Sequence, residues 1–219
     1  MKNLKLFFAI TFLSIFGLNS YAQSVDAIVE EVTASIELDE TQSKALETQL
    51  GKYAISLQLI FDKYEEGEPD PQAMLTDIKH SREEYHKALK NDIGKDKFKA
   101  YEAHVDMVQL EILGEAAYFR LLDLQEPLKM TDDQVQQMVP IMAKAMKGMM
   151  ETLMKYIDAK MNLRTKLKVG NSIKSIKKTM EKERSQVLTG EQIKKWDEMR
   201  EAAKAEKEAN KEAAPEEKN

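Results

Sequence analysis

Leu188-Thr189-Gly190-Glu191-Gln192 and Met130-Thr131-Asp132-Asp133-Gln134 decide how this chain folds. In each, a threonine follows an apolar side chain and stands three residues ahead of a glutamine. The hydroxyl can accept from the free N–H groups of a new helix, and the glutamine can reach back to the threonine's own N–H. The apolar residue in front, Leu188 or Met130, is placed as a hydrophobic staple. Leu38-Asp39-Glu40-Thr41-Gln42 has the same form, with Asp39 as the capping residue and Gln42 as its partner. A fourth, degraded copy runs from Ile93 to Glu102 and aligns without gaps onto 188–197, although it lacks both Thr and Gln. Leu38 to Ile93 is 55 residues and Met130 to Leu188 is 58, so two tandem units of similar plan are expected, about 38–115 and 130–205. The helix-capping residues are then Asp39, Gln42, Thr131, Gln134, Thr189 and Gln192. Such a motif starts helices; it has no group that could catalyse a reaction.

Outward from these starts, the apolar residues recur with a helical period. One stripe is Leu46, Leu50, Tyr53, Leu57, Ile60, Phe61 and Tyr64, ending at the breakers Gly67, Pro69 and Pro71. A second, Leu75, Ile78, Tyr85 and Leu89, reaches Asn91. A third, Phe98, Tyr101, Val105, Val108, Ile112 and Phe119, stops before Gln125-Glu126-Pro127. The fourth helix is expected from Thr131 to Val169, closed by Gly170-Asn171, with Pro140 giving a kink or a delayed start. A fifth spans about 173–187. The sixth carries Ile193, Trp196 and Met199 and then frays into a tail, 206–219, with nothing to bury.

Composition agrees. With 8 Gly and 5 Pro in 219 residues the chain has few turns, which argues against sandwiches, barrels and doubly wound sheets. There is no cysteine, hence no disulfide and no thiolate chemistry. The closest glycines are Gly51 and Gly67, too far apart for a phosphate cradle. The expectation is an all-α, non-enzymatic chain of two antiparallel helical-hairpin units, in long amphipathic helices of the coiled-coil kind, needing no cofactor.

The beginning reads as an address. Lys2 and Lys5 precede an apolar run at 6–18, followed by the small residues Ser20 and Ala22. This is the pattern of a cleavable secretory signal at 1–22, cut after Ala22. The run falls short of the ~20 residues a membrane span needs. A periplasmic or secreted location follows, with 23–122 as the first helical unit and 130–205 as the second.

The motifs at 130–134 and 188–192 resemble the LTxxQ motifs of the Spy/CpxP family of periplasmic stress proteins. The resemblance is clear over 130–200 and partial over 38–104. It implies an exported all-helical protein, ATP-independent chaperone activity and unfolded or stressed proteins as partners. Family members pair two single-unit chains into a cradle. Here two units share one chain, so a monomeric pseudo-dimer is expected.

Charge is segregated. Residues 25–115 hold 10 basic and 21 acidic side chains, whereas 144–184 hold 12 basic and 4 acidic. That contrast suits either docking of one unit on the other or a basic surface that collects acidic partners. A net charge of -5 makes nucleic acid a poor partner. Methionine is concentrated too: Met138, Met142, Met146, Met149 and Met150 follow helical spacing, as core, as an adaptable binding face, or as a soft-metal surface. The candidate client-binding residues are Met142, Met146, Lys147, Met149, Met150, Lys155, Lys174, Lys177 and Lys178. The alternative is a metal-binding or metal-sensing protein using His80 and Glu84, which are one helical turn apart, or the methionines. A third is a module that reports envelope stress to a membrane sensor.

Overall fold

The computed structural model describes residues 21–65, 70–160 and 162–212. Of the expected signal at 1–22, residues 1–20 lie outside the described residues, as do 213–219 of the expected tail at 206–219. Those residues form seven α-helices and no strand: α1 Tyr21–Ile36, α2 Glu40–Glu65, α3 Pro71–Ile93, α4 Lys95–Leu128, α5 Asp132–Tyr156, α6 Leu163–Val187 and α7 Gly190–Glu212. The all-α expectation holds.

Four helices begin directly after the four motif copies, at Glu40, Lys95, Asp132 and Gly190. The residue in front of each cap is buried: Leu38, Ile93, Met130 and Leu188 are all under a tenth exposed. Two of the preceding helices end alike. Glu37 (φ 55°) and Lys129 (φ 51°) take the left-handed conformation. The next N–H, of Leu38 or Met130, donates back to Thr33 O at 3.1 Å or Gln125 O at 2.9 Å. This is a Schellman ending whose apolar last residue doubles as the staple of the following helix. Gly94 (φ 84°) makes the tightest link: its N–H closes α3 on Lys90 O, and its carbonyl accepts from Phe98 N at 3.0 Å to open α4.

Two compact units emerge, interleaved along the chain. The first takes in the described residues up to Ile112 together with Met149–Asn171; the second is Leu113–Gly148 with Ser172 onward. Within the first, α2 and α3 pair antiparallel, as shown by hydrogen bonds Gln49–Asp92 (2.6 Å), Ser81–Ser56 (2.7 Å) and Tyr64–Asp77 (2.9 Å). Its core is Leu46, Leu50, Leu57, Ile78, Leu89, Ile93 and Phe98, with Val29, Val32 and Ile36 from α1. Tyr53 stacks on Tyr85 with centroids 4.8 Å apart, and the hydroxyls of Tyr85 and Tyr101 lie 2.9 Å apart. The second unit packs Ala117, Leu121, Leu128, Met130, Val135, Met138, Met142 and Leu188, with Trp196 against them.

Several boundaries differ from expectation. The helix α1 precedes the first expected start at Asp39. No helix runs from Thr131 to Val169: α5 ends at Tyr156, and α6 passes through Gly170 and Asn171 to Val187. The break has local and distant causes. Asn162 Oδ1 caps α6 by accepting from Thr165 N at 2.9 Å. The preceding turn is tethered to α3, with Lys79 Nζ on Asp158 Oδ1 at 2.7 Å and Gln72 Nε2 on Ile157 O at 3.3 Å. Gly170 tolerates a helix interior at a cost of about 1 kcal/mol relative to Ala. Pro140 does not delay α5, which begins at Asp132 and continues past it. Pro127 likewise falls inside the last turn of α4 rather than after its end.

Candidate functional site

The motif copies meet in pairs, one pair in each unit. In the second unit, Thr131 N donates to Gln134 Oε1 (3.0 Å) and Gln134 N to Thr131 Oγ1 (3.2 Å). Thr189 and Gln192 repeat this at 2.9 and 3.3 Å. Each glutamine then crosses to the other motif. Gln134 Nε2 donates to Val187 O at 2.9 Å, and Gln192 Nε2 donates to Lys129 O at 3.1 Å. Both carbonyls stand two residues before the opposite threonine. The two amides also bond each other, Nε2 to Oε1 at 3.0 Å in both directions. Every donor and lone pair of both half-buried amides is thereby used.

In the first unit, Asp39 and Gln42 form the same reciprocal box, at 2.8 and 3.2 Å. Gln42 Nε2 crosses to Ile93 O at 3.1 Å. The opposite copy has Lys97 where the other unit has Gln192. Its ammonium donates to Ile36 O at 2.7 Å and Glu37 O at 2.6 Å. Glu37 stands two residues before Asp39, as Lys129 stands two before Thr131. A copy that looked degraded in sequence therefore keeps the cross-link with a different donor. The gapless alignment carried that signal, since it sets Lys97 opposite Gln192. Chemically these junctions close helix ends.

The expected client-binding residues are scattered. Met149, Met150 and Lys155 belong to the first unit; Met142, Met146, Lys147, Lys174, Lys177 and Lys178 belong to the second. Met142 and Met150 are each only 7% exposed and fill the cores of different units. They are corrected from binding face to core: Met142 packs with Met138 in the second unit, and Met150 joins the cluster of the first. Met146, Met149 and Lys147 are half-buried, while Lys155, Lys174, Lys177 and Lys178 are exposed. Lys155 Nζ lies 5.6 Å from the Tyr156 ring centroid.

Sequence reasoning missed the apolar side chains that do face outward. These are Ile55, Leu59, Met107, Leu153, Leu163 and Leu167 in the first unit, and Phe119 and Leu122 in the second. Ile55 and Leu59, four apart, fall between members of the buried stripe of α2, which was the available signal. Phe119, which continues the third apolar stripe in sequence, is largely exposed.

The histidines share no site. His80 Nε2 is 3.6 Å from Asp158 Oδ2, so its nearest acidic partner is not the expected Glu84. The Lys79 hydrogen bond holds the Asp158 carboxyl below its ordinary range. His104, buried, faces Glu31 at 3.4 Å. His86 packs edge-on against Phe98 and Tyr101, and burial lowers its pKa to about 4. Among the described residues no three His, Asp or Glu side chains gather as a metal-ligand set. No described helix is long and apolar enough to cross a membrane. Compared with known proteins, the chain matches no protein-family model, no curated protein and no solved structure.

Proposed function

We propose that this is an exported, Spy/CpxP-like binding protein that holds unfolded or stressed proteins without ATP and without catalysis. The observation that carries this reading is the paired LTxxQ-type junction, in which Gln134 and Gln192 cross-link two helix starts (3.0 Å). The same pairing at Asp39–Gln42 and Lys97 supports reading the chain as two related helical-hairpin units, one chain doing what two single-unit chains do in that family. Client contact falls to the outward apolar residues Ile55, Leu59 and Phe119, each more than 60% exposed, together with the exposed Lys174, Lys177 and Lys178. Scattered apolar side chains amid charge give weak, adaptable contacts suited to varied partners.

The test is suppression of aggregation of a chemically unfolded client at near-equal molar ratio, without nucleotide. Changing Ile55, Leu59 and Phe119 to Ser should weaken suppression several-fold while the helical circular dichroism stays unchanged. Loss of none of the activity in that variant, or no suppression across several unrelated clients, would refute the proposal. Light scattering should give the mass of a single chain at micromolar concentration.

A further inference from the structure

The first two turns of α6 carry an outward apolar pair outside the client-contact residues named above. Leu163 is 75% exposed and Leu167 58% exposed, the former the most exposed large apolar side chain among the described residues. Four apart, they lie on one face of the helix. Thr165 and Val169, also four apart and on the opposite side, are half-buried. Lys160, Arg164, Lys166 and Lys168 are all exposed, with Arg164 and Lys166 on either side of the leucine pair. No acidic residue occurs between Asp158 and Glu181. Gly170 continues the outward face one turn on, where a side chain would meet nothing within 4 Å. The helix thus turns Thr165 and Val169 partly inward and an apolar leucine pair outward at this end, and the outward pair is framed by cations.

We propose that this end of α6 adsorbs reversibly to an anionic lipid surface. Leu163 and Leu167 enter the boundary between headgroups and acyl chains, while Lys160, Arg164, Lys166 and Lys168 extend their stems along them to reach lipid phosphates. Charge decides the sign of the surface, since the stretch offers cations alone. Shape favours lipid over a protein partner. Two leucines projecting from a convex helix need no matching groove when the other side is a fluid layer. The contact is peripheral and leaves the helix lying on the surface.

The test is flotation of the full chain with vesicles of phosphatidylcholine alone and of phosphatidylcholine with one third phosphatidylglycerol. The anionic vesicles should carry at least ten-fold more protein at low salt, and the excess should fall steeply at 0.5 M salt, a pattern set by charge screening. Leu163→Ser with Leu167→Ser should abolish the excess with an unchanged circular dichroism spectrum, as should Lys166→Gln with Lys168→Gln. The comparison between variants also removes any contribution from Lys2, Lys5 and the apolar residues 6–18, which every form of the protein shares. Equal flotation with both vesicles, or an excess that survives the leucine changes, would overturn the proposal. Tighter binding of an acidic, leucine-bearing peptide than of the anionic vesicles would do so too, assigning the patch to a protein partner.

Discussion

In the second unit Gln134 and Gln192 bond each other and the backbone, so each amide's two donors and two acceptors are all engaged. In the first unit Gln42 and Lys97 make the crossings separately, each to backbone carbonyls of the opposite helix end. The outcome is the same: an orphan carbonyl at one helix terminus is satisfied from the start of another helix. What differs is coupling. Two neutral amides that bond each other must hold a common geometry, whereas an ammonium on a flexible stem can shift alone. A motif can therefore lose its recognisable letters and keep its mechanical role, provided a donor of adequate reach remains.

The largest expected effect compares the two cores. Leu46 and Met138 are both fully buried, one in each unit. Leu46→Ala should cost about 2–5 kcal/mol through the cavity it leaves, and Met138→Ala a similar amount. Because α4, α5 and α6 each contribute residues to both units, the two should unfold together. Trp196, the only tryptophan, reports on the second unit. Its fluorescence transition in urea should shift with Leu46→Ala as far as the circular dichroism transition does. A tryptophan transition left in place would show that the units melt independently.

Acid separates the units next. All three histidines lie in the first, and His86 has a folded-state pKa lowered to about 4 from the ordinary 6.5 because burial disfavours its charged form. The fold favours neutral His86, so this contribution is complete above pH 6.5 and is lost as pH falls toward 4. Solvent screening of the half-buried ring keeps it to about 1–2 kcal/mol. The carboxyls of Asp77 and Asp158, lowered by hydrogen bonds from Lys63 and Lys79, act in the same direction at lower pH. His86→Leu should flatten the drop in urea midpoint between pH 7 and 4.5. An unchanged slope would mean that His86 is charged in the folded protein.

A smaller effect compares the cross-links directly. Lys97→Ala should destabilise by about 1–2 kcal/mol, since two helix-end carbonyls lose a charged donor. Lys97→Gln should recover part of that loss in the same urea titration if the first junction can accept the second's chemistry. The smallest effect has the opposite sign. Glu37→Gly and Lys129→Gly remove side chains from left-handed positions without touching the carbonyls that accept the crossings, and each should raise stability by about 0.5–1 kcal/mol.

The helix starts were legible because capping is local chemistry: Asp39, Thr131 and Thr189 each meet a partner three residues away. The end of α5 was not, because its causes lie far off in sequence. The turn after Tyr156 is held by Lys79 and Gln72, 79 and 85 residues from their partners. Methionine periodicity ran unbroken toward Val169 and carried no trace of those tethers. The same periodicity could not tell Met142 and Met150 as core from a binding face, since an inward stripe and an outward one share a period. The exposed Leu163 and Leu167 were hidden for the converse reason, because they read as continuing a helix that in fact starts afresh at Leu163.

A double-mutant cycle tests the central claim, that the second junction is one coupled unit and the first is two independent crossings. Urea unfolding would be measured for Gln134→Ala, Gln192→Ala and their combination, and for Gln42→Ala, Lys97→Ala and theirs. We expect the Gln134–Gln192 pair to show a coupling energy of about 1 kcal/mol or more, and the Gln42–Lys97 pair to be additive within about 0.5 kcal/mol. Additive losses at Gln134 and Gln192, or equal coupling in both pairs, would contradict it.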